Sequence, residues 1–151
     1  MARAYLGLGS NLGDRAGHLA FGIRKLARHG LLLARSPLLE TEPVDCPRGG
    51  MFLNACVCLE SASAPRELLA AALRIERARG RRRRRRNEPR VLDIDLLLID
   101  DLVLSGPDLR LPHPRMHVRA FVLEPLAAIA PLAVHPVLHR SVQDLRRRLR
   151  V

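Results

Sequence analysis

Apolar and polar positions divide the first two thirds of the chain into alternating strand-like and helix-like segments. Four short, largely apolar segments predict strands, and they cover residues 3–8, 31–40, 51–60 and 91–99. Pro37 restricts the second of these strands to a sheet edge or a bulge. Two longer segments repeat apolar residues every three or four positions, which predicts helices. The first runs through Leu19, Ile23 and Leu26 to Gly30, and the second runs from Pro65 to Gly80.

The last third is less regular. It contains a predicted loop over 111–117, helical pieces over 119–130 that Pro125 interrupts, and an amphipathic helix over 141–150. The order strand, helix, strand, strand, helix, strand matches the split β-α-β-β-α-β unit. We therefore expect an α+β fold, in which two helices cover one face of a four-stranded antiparallel sheet and a helical appendage follows. A chain of 151 residues without a long linker predicts a single domain, residues 1–151.

Charge and composition narrow the possible partners. Lys and Arg total 26 against 15 Asp and Glu, a net charge of +11, and Lys25 is the one lysine. This excess predicts an anionic partner: nucleic acid, a phosphorylated small molecule or a membrane surface. Aromatic residues are only 3% of the chain, which argues against a protein that stacks single-stranded bases. No apolar run approaches the ~20 residues of a membrane span, and the start lacks a secretory signal, so we expect a cytoplasmic protein with reduced cysteines.

The strongest candidate for chemistry is an acid pair in the fourth strand. Asp93 and Asp95 are two residues apart, so they share a face of the strand, while Leu92, Ile94, Leu96 and Leu98 are expected to point into the core. Two neighbouring carboxylates in an apolar strand need a compensating cation. Mg²⁺ prefers such oxygen ligands together with substrate phosphates. The alternative is a polar strand face on which each aspartate pairs with a loop arginine.

Other motifs are less specific. The run Arg81–Arg86 precedes the acidic strand and is either a solvated loop or a phosphate clamp, because guanidinium groups match phosphate oxygens. His113 lies in a proline-rich loop and could contact a phosphate. The stretch from Gly7 to Gly13 fits neither a dinucleotide fingerprint nor a P-loop. We expect its glycines to permit a tight turn from strand to helix, with Asn11 or Asp14 at the helix N-terminus.

Seven landmarks in order give the chain a specific resemblance over residues 4–131. They are LGLGSNLGDR (6–15), Thr41 to Val44, Phe52 to Asn54, Arg74 to Arg81, PRVLDIDLLL (89–98), LPHPRM (111–116) and Arg119 to Leu123. This pattern resembles the 6-hydroxymethyl-7,8-dihydropterin pyrophosphokinases of folate biosynthesis. The resemblance implies a ferredoxin-like fold and the transfer of pyrophosphate from ATP to the pterin hydroxymethyl group, with release of AMP.

The resemblance also implies roles for individual residues. Two Mg²⁺ ions would be held by Asp93 and Asp95, and catalysis would further involve Arg81, Arg83 and Arg90. ATP would contact these arginines and four more residues: Glu76, Leu96, His113 and Arg119. The reduced pterin would lie against Thr41, Val44, Phe52, Asn54, Asp93 and Phe121. The expected partners are ATP and the pterin, with no nucleic acid and no membrane, and the expected state is a monomer.

Two other hypotheses remain at this stage. The basic charge and the topology also fit a ferredoxin-like RNA-binding module, although the expected strand aromatics are reduced to Tyr5 and Phe52. An inactive relative is the other hypothesis, because Asn87 and Glu88 stand where the family usually has an aromatic residue and glycine. We further expect residues 43–50 and 80–90 to be mobile without ligand, since both segments are rich in Gly, Pro or Arg and flank the site.

Overall fold

A computed structural model describes residues 1–42, 50–80 and 90–150. The strands are β1 (Ala2–Ser10), β2 (Leu31–Arg35), β3 (Leu39–Thr41), β4 (Phe52–Ser61), β5 (Asp93–Ile99), β6 (Leu104–Ser105) and β7 (Arg110–Leu111). The α-helices are α1 (Arg15–Leu26), α2 (Pro65–Ala78), α3 (Ala120–Ile129) and α4 (Val142–Arg150), with short 3₁₀ turns at Ala27–His29 and Met116–Val118. Within the described residues, no helix combines the length and apolar character needed to cross a membrane.

The main sheet has the predicted antiparallel topology. Its strands lie in the order β2-β4-β1-β5, and β3 adds to the end of β4. All of these pairs are antiparallel. The small β6–β7 hairpin forms a separate sheet. Read along the chain without the short addition β3, the elements β1, α1, β2, β4, α2 and β5 form the β-α-β-β-α-β unit, which confirms the ferredoxin-like α+β prediction.

Both faces of the sheet are covered, each by a different pair of helices. On one face, Leu6, Leu59 and Ile94 pack with α1 and α2 through residues such as Leu19 and Leu68. This layer confirms the two-helix face that the sequence predicts. On the other face, α3 and α4 cover part of the sheet, where Leu123, Leu126 and Val142 pack on Leu97 and Cys56. The appendage leaves the rest of this second face open as a cavity.

Two strand predictions need correction. The segment 31–40 is not one strand: Ser36, Pro37 and Leu38 interrupt it, and β2 and β3 pair separately with β4. The interruption follows from Pro37, which cannot donate a ladder hydrogen bond. Leu98 does not point with Ile94 and Leu96, because the register between β1 and β5 shifts at Tyr5 and Leu6. This bulge reverses the alternation, so Leu98 packs on the face of α3 and α4 instead.

The glycines between residues 7 and 13 do not all lie in the turn that the sequence predicts. Gly7 and Gly9 lie inside β1 and not in the turn. The turn that follows uses Gly13, whose φ of 71° is the left-handed conformation that glycine adopts without strain. Asp14 is the N-cap of α1, and its carboxylate accepts a hydrogen bond from the backbone N–H of Gly17 at 3.1 Å. The prediction of Asp14 at the helix N-terminus is therefore confirmed.

Candidate active site

On the open face of the sheet, the glycines of β1 form the floor of a cavity. Side chains of β4 and β5 form its two opposite walls. In β1, Gly9 pairs with Asn54 on one side and with Asp93 on the other, while Gly7 pairs with Cys56 and Asp95. Residues paired in this way share a face. Since the glycines have no side chains, they leave a cavity of about 670 Å³ over the centre of the sheet. The acid pair and Asn54 therefore face each other across the same depression.

The two aspartates have different surroundings. Asp93 accepts a hydrogen bond from Arg90 Nη1 at 2.9 Å, and its side chain is 18% exposed. Burial of Asp95 raises the pKa of its carboxyl above 3.8, against the opposing effects of His113 and Arg119. The charge of Asp93 raises it further. The neighbouring cationic groups therefore do not fully compensate the negative charge of the buried Asp95 carboxylate, and a bound cation would supply the missing positive charge.

Arg90 is held in position by the turn that follows β1. Asn11 Oδ1 accepts a hydrogen bond from the backbone N–H of Arg90 at 2.6 Å, and the Asn11 N–H donates to the Arg90 carbonyl at 3.1 Å. These bonds fix the backbone of Arg90 beside the cavity that it lines, and its guanidinium reaches Asp93. One part of the alternative reading of the acid pair is correct, because Asp93 does pair with a loop arginine.

His113 belongs to a loop that is fastened to the acidic strand. Its backbone N–H donates to the Leu97 carbonyl at 2.9 Å. Its Nδ1 accepts a hydrogen bond from the backbone N–H of Arg115 at 3.1 Å, so the proton of the neutral ring lies on Nε2. Burial lowers the pKa of His113, and the nearby Arg119 and Arg115 lower it further, whereas Asp95 raises it. The neutral ring can therefore donate one hydrogen bond from Nε2.

The opposite wall consists of Asn54 and the residues around it. Asn54 Nδ2 donates to Thr41 Oγ1 at 2.7 Å and lies 3.5 Å from the Leu39 carbonyl. The carbonyl oxygen of the same amide lies toward Gly9. Phe52 and Phe121 also line the cavity, and the Arg119 guanidinium lies 5.5 Å from the centre of the Phe121 ring. This wall offers flat apolar rings and one amide acceptor.

The structure brings together most of the described residues that the sequence predicts for the site. The cavity is lined by Thr41, Phe52, Asn54, Arg90, Asp93, Asp95, Arg119 and Phe121. His113 lies close enough to Asp95 for their charges to interact. Val44, Arg81 and Arg83 lie outside the described residues, as do residues 43–49 and 81–89 of the segments expected to be mobile.

Two predicted ATP contacts lie elsewhere. The side chain of Leu96 packs in the core beneath the sheet and is 5% exposed. Glu76 is also buried, and its Oε2 accepts a hydrogen bond from the backbone N–H of Ile94 at 2.7 Å. Glu76 thereby ties α2 to the outer edge of the acidic strand. The side chains of Leu96 and Glu76 are thus on the opposite face from the cavity.

The residues that line the cavity and that sequence reasoning missed include the glycines at 7 and 9, and Arg115. Gly7 and Gly9 are two residues apart, so they share a face of β1, but the predicted strand 3–8 ended before Gly9. Arg115 had no comparable signal in the sequence. Within residues 1–42, 50–80 and 90–150, no three His, Cys, Asp or Glu side chains could together hold a metal ion.

Comparison with known proteins identifies related sequences. The family model described as 7,8-dihydro-6-hydroxymethylpterin-pyrophosphokinase matches residues 5–131. A 2-amino-4-hydroxy-6-hydroxymethyldihydropteridine pyrophosphokinase of Methylorubrum extorquens is 47% identical over 133 residues, covering 87% of this chain and 84% of the relative. A protein of the same name from Aquifex aeolicus is 34% identical over 146 residues, covering 97% and 91% of the two chains.

Solved structures with the same fold come from a longer protein. The wild-type HPPK-DHPS of Plasmodium falciparum with pteroate matches 97% of this chain with a TM-score of 0.77 and 16% sequence identity. This chain spans only 42% of that protein. At such low identity the match supports the fold alone.

Proposed function

The chain belongs to the 7,8-dihydro-6-hydroxymethylpterin-pyrophosphokinase family, and we propose that the cavity over β1, β4 and β5 is its active site. The enzyme transfers pyrophosphate from ATP to the hydroxymethyl group of 6-hydroxymethyl-7,8-dihydropterin, a step of folate biosynthesis. The observation that carries the assignment of the site is the floor of Gly7 and Gly9, with the acids on one side and Asn54 on the other.

The pterin would occupy the side of the cavity that Asn54 lines. Because the Asn54 amide nitrogen already donates to Thr41 Oγ1 and to the Leu39 carbonyl, the amide carbonyl is the group that Asn54 would offer to the ligand. It would accept a hydrogen bond from an N–H group of the pterin edge. Phe52 and Phe121 supply aromatic rings for contact with the flat heterocycle, and Val44 is a further proposed contact.

Mg²⁺ and the triphosphate would occupy the other side. Asp93 and Asp95 fit Mg²⁺, because they are hard oxygen ligands and one of them is buried without full charge compensation. We propose that this pair holds two ions, with remaining ligands from phosphate and water. When bound, Mg²⁺ would neutralise negative charge on the triphosphate and orient it. Arg90 would then be shared between Asp93 and a phosphate oxygen.

The chain itself would contribute mainly position and charge. Arg119 and Arg90 would lie along the phosphates, and His113 would donate from Nε2 to a phosphate oxygen. The Asn54 wall would hold the pterin so that its hydroxymethyl oxygen faces the β-phosphorus. Catalysis of phosphoryl transfer by such a site rests on alignment and electrostatic stabilisation.

Further roles remain proposals on the family resemblance. Arg81 and Arg83 would contact ATP and take part in catalysis. Leu96 could contact a nucleotide only through its backbone, at the outer edge of β5, because its side chain is in the core. Glu76 could act on a nucleotide only through the strand that it supports. We also propose a monomer in the cytoplasm.

Titration calorimetry tests the two halves of the site separately. A non-hydrolysable ATP analogue with Mg²⁺ is titrated first, and the pterin is titrated into the resulting complex. We expect Asn54→Leu to weaken pterin binding by at least tenfold with little change for the nucleotide, and Asp95→Asn to weaken nucleotide binding. Wild-type affinity of Asn54→Leu for the pterin would contradict the assignment of this wall.

A further inference from the structure

The last residue of the LGLGSNLGDR motif, Arg15, has no role in the site described above. Arg15 is the first residue of α1 and does not line the cavity. Its Nη2 forms an ion pair with Glu40 Oε1 at 2.7 Å, and its Nη1 donates to the Met51 carbonyl at 2.8 Å. One guanidinium thus joins the helix to β3 and to the residue that precedes β4.

These two contacts fall on the hairpin that carries the proposed pterin wall. In the β3–β4 pairing, Thr41 is opposite Phe52 and Leu39 is opposite Asn54, with Glu40 and Leu53 between them. Leu53 packs on the core beneath the sheet. Glu40 shares the face of Leu53, so Arg15 holds the hairpin from the side away from the cavity.

The hairpin needs such support because β3 is short. It has three residues, and among the described strands it pairs with β4 alone. On the cavity side, the Asn54 amide ties β3 through Thr41. A ladder of three residues at a sheet edge is marginally stable by itself. The contacts of Arg15 provide the second tie, on the opposite face.

We propose that Arg15 is a positioning residue for the pterin, acting through Glu40 and Met51 on the hairpin that presents Thr41, Phe52 and Asn54. This inference rests on the proposed pterin site. Within the described part of the chain, the residues proposed to hold nucleotide and metal lie on β5, at the start of α3 and beside Arg90 and His113, and the side-chain contacts of Arg15 with Glu40 and Met51 involve none of them. Loss of Arg15 should therefore affect pterin affinity and leave nucleotide affinity unchanged.

The test compares Arg15→Ala with Arg24→Ala, a control at an exposed arginine of the same helix. Calorimetry measures the Kd of the Mg²⁺–ATP analogue and then that of the pterin, and steady-state assays separate KM from kcat. For Arg15→Ala we expect pterin Kd and KM to rise about five- to tenfold, as loss of an exposed ion pair and one charged hydrogen bond would produce. The Kd of the nucleotide, and kcat at saturating pterin, should stay within about twofold of the wild-type values. For Arg24→Ala, all of these constants, including the pterin Kd and KM, should stay within the same limit.

Two further measurements separate failure of the inference from failure of the proposed function. Hydrogen exchange of the ligand-free protein should show faster exchange over 39–41 and 52–54 in Arg15→Ala. The double variant Arg15→Ala/Glu40→Gln should bind the pterin no more weakly than Arg15→Ala alone. Unchanged exchange, or equal weakening of both substrates, would overturn the inference while the function stands. Absence of pterin binding by the wild-type protein would overturn both.

Discussion

Adding one methyl group to the floor of the cavity tests the geometry of the site directly. A Cβ at Gly9 would lie 3.2 Å from Asn54 Oδ1 and 3.7 Å from Phe52 Cδ1. A Cβ at Gly7 would lie 3.5 Å from the nearest atom, the flexible end of Leu97. Neither glycine has a positive φ, so the backbone accepts alanine at both positions. Gly9→Ala and Gly7→Ala are therefore a matched pair in one strand.

The expected magnitude follows from the contacts of Asn54. To accommodate the methyl group of Gly9→Ala, Asn54 must move by a few tenths of an ångström, but its amide is held by Thr41 at 2.7 Å. The shifted amide carbonyl is then misplaced for the N–H group of the pterin, and the hydrogen bond that it accepts in the complex is weakened by about 1 kcal/mol. The methyl group also prevents a flat ring from resting on the floor, a packing loss of about 1 kcal/mol. The two effects together correspond to a pterin Kd about 30-fold higher.

The assay is calorimetric titration of the pterin into the complex with Mg²⁺ and an ATP analogue, together with thermal melts. We expect Gly9→Ala to lose about 30-fold in pterin affinity while its melting temperature changes little, since alanine in a strand is at least as favourable as glycine. Gly7→Ala should bind the pterin within about threefold of the wild type, because its methyl group makes ordinary van der Waals contact. Equal effects of the two variants would refute the proposed placement of the pterin beside Asn54.

Three further predictions concern buried ionisable groups. Burial raises the pKa of Asp95 above 3.8, so its ionisation opposes folding and wild-type stability falls as pH rises through the interval from 3.8 to the raised value. Asp95→Asn should therefore melt at a higher temperature than the ligand-free wild type at neutral pH; a lower melting temperature there would contradict this account. Burial lowers the pKa of His135 below 6.5, and its Nδ1 accepts from the Leu138 N–H at 3.0 Å. Thermal melts should show that wild-type stability falls as the pH drops through 6.5 toward the lowered pKa of His135. The fall should be steeper than in His135→Asn, and parallel stability–pH profiles of the two proteins would exclude this contribution. Glu76→Leu removes the acceptor of the Ile94 N–H and should lower the free energy of unfolding in urea by about 1–3 kcal/mol, with a smaller loss for Glu76→Gln, and equal losses would argue against this hydrogen bond.

The sequence predicts the order of elements well because hydrophobic period and turn residues are local properties. It predicts less well the features that depend on pairing between strands. The bulge that reverses Leu98 arises from the register of β1 against β5, which no single segment encodes. Pro37 indicates an irregularity in the segment 31–40. The pairing of β3 with β4, however, is a tertiary contact that this segment does not encode.

The same distinction applies to the site. The spacing of Asp93 and Asp95 is sufficient to place them on one face, and the structure confirms that both line the cavity. The use of Gly7 and Gly9 as a floor becomes visible only when β1 is paired on both sides. Likewise, the hydrogen bond that the Ile94 N–H at the edge of β5 donates to Glu76 joins residues that are 18 positions apart in the chain.

The most direct test of the account is Mg²⁺-dependent formation of AMP from ATP and 6-hydroxymethyl-7,8-dihydropterin. Asp93→Ala and Asp95→Ala are compared with Asp101→Ala, which removes an exposed carboxylate shortly after the same strand. We expect both cavity variants to lose AMP formation at all Mg²⁺ concentrations, while Asp101→Ala keeps wild-type activity. Full activity in either cavity variant, with unchanged dependence on Mg²⁺, would contradict the claim that this acid pair holds the metal and its nucleotide.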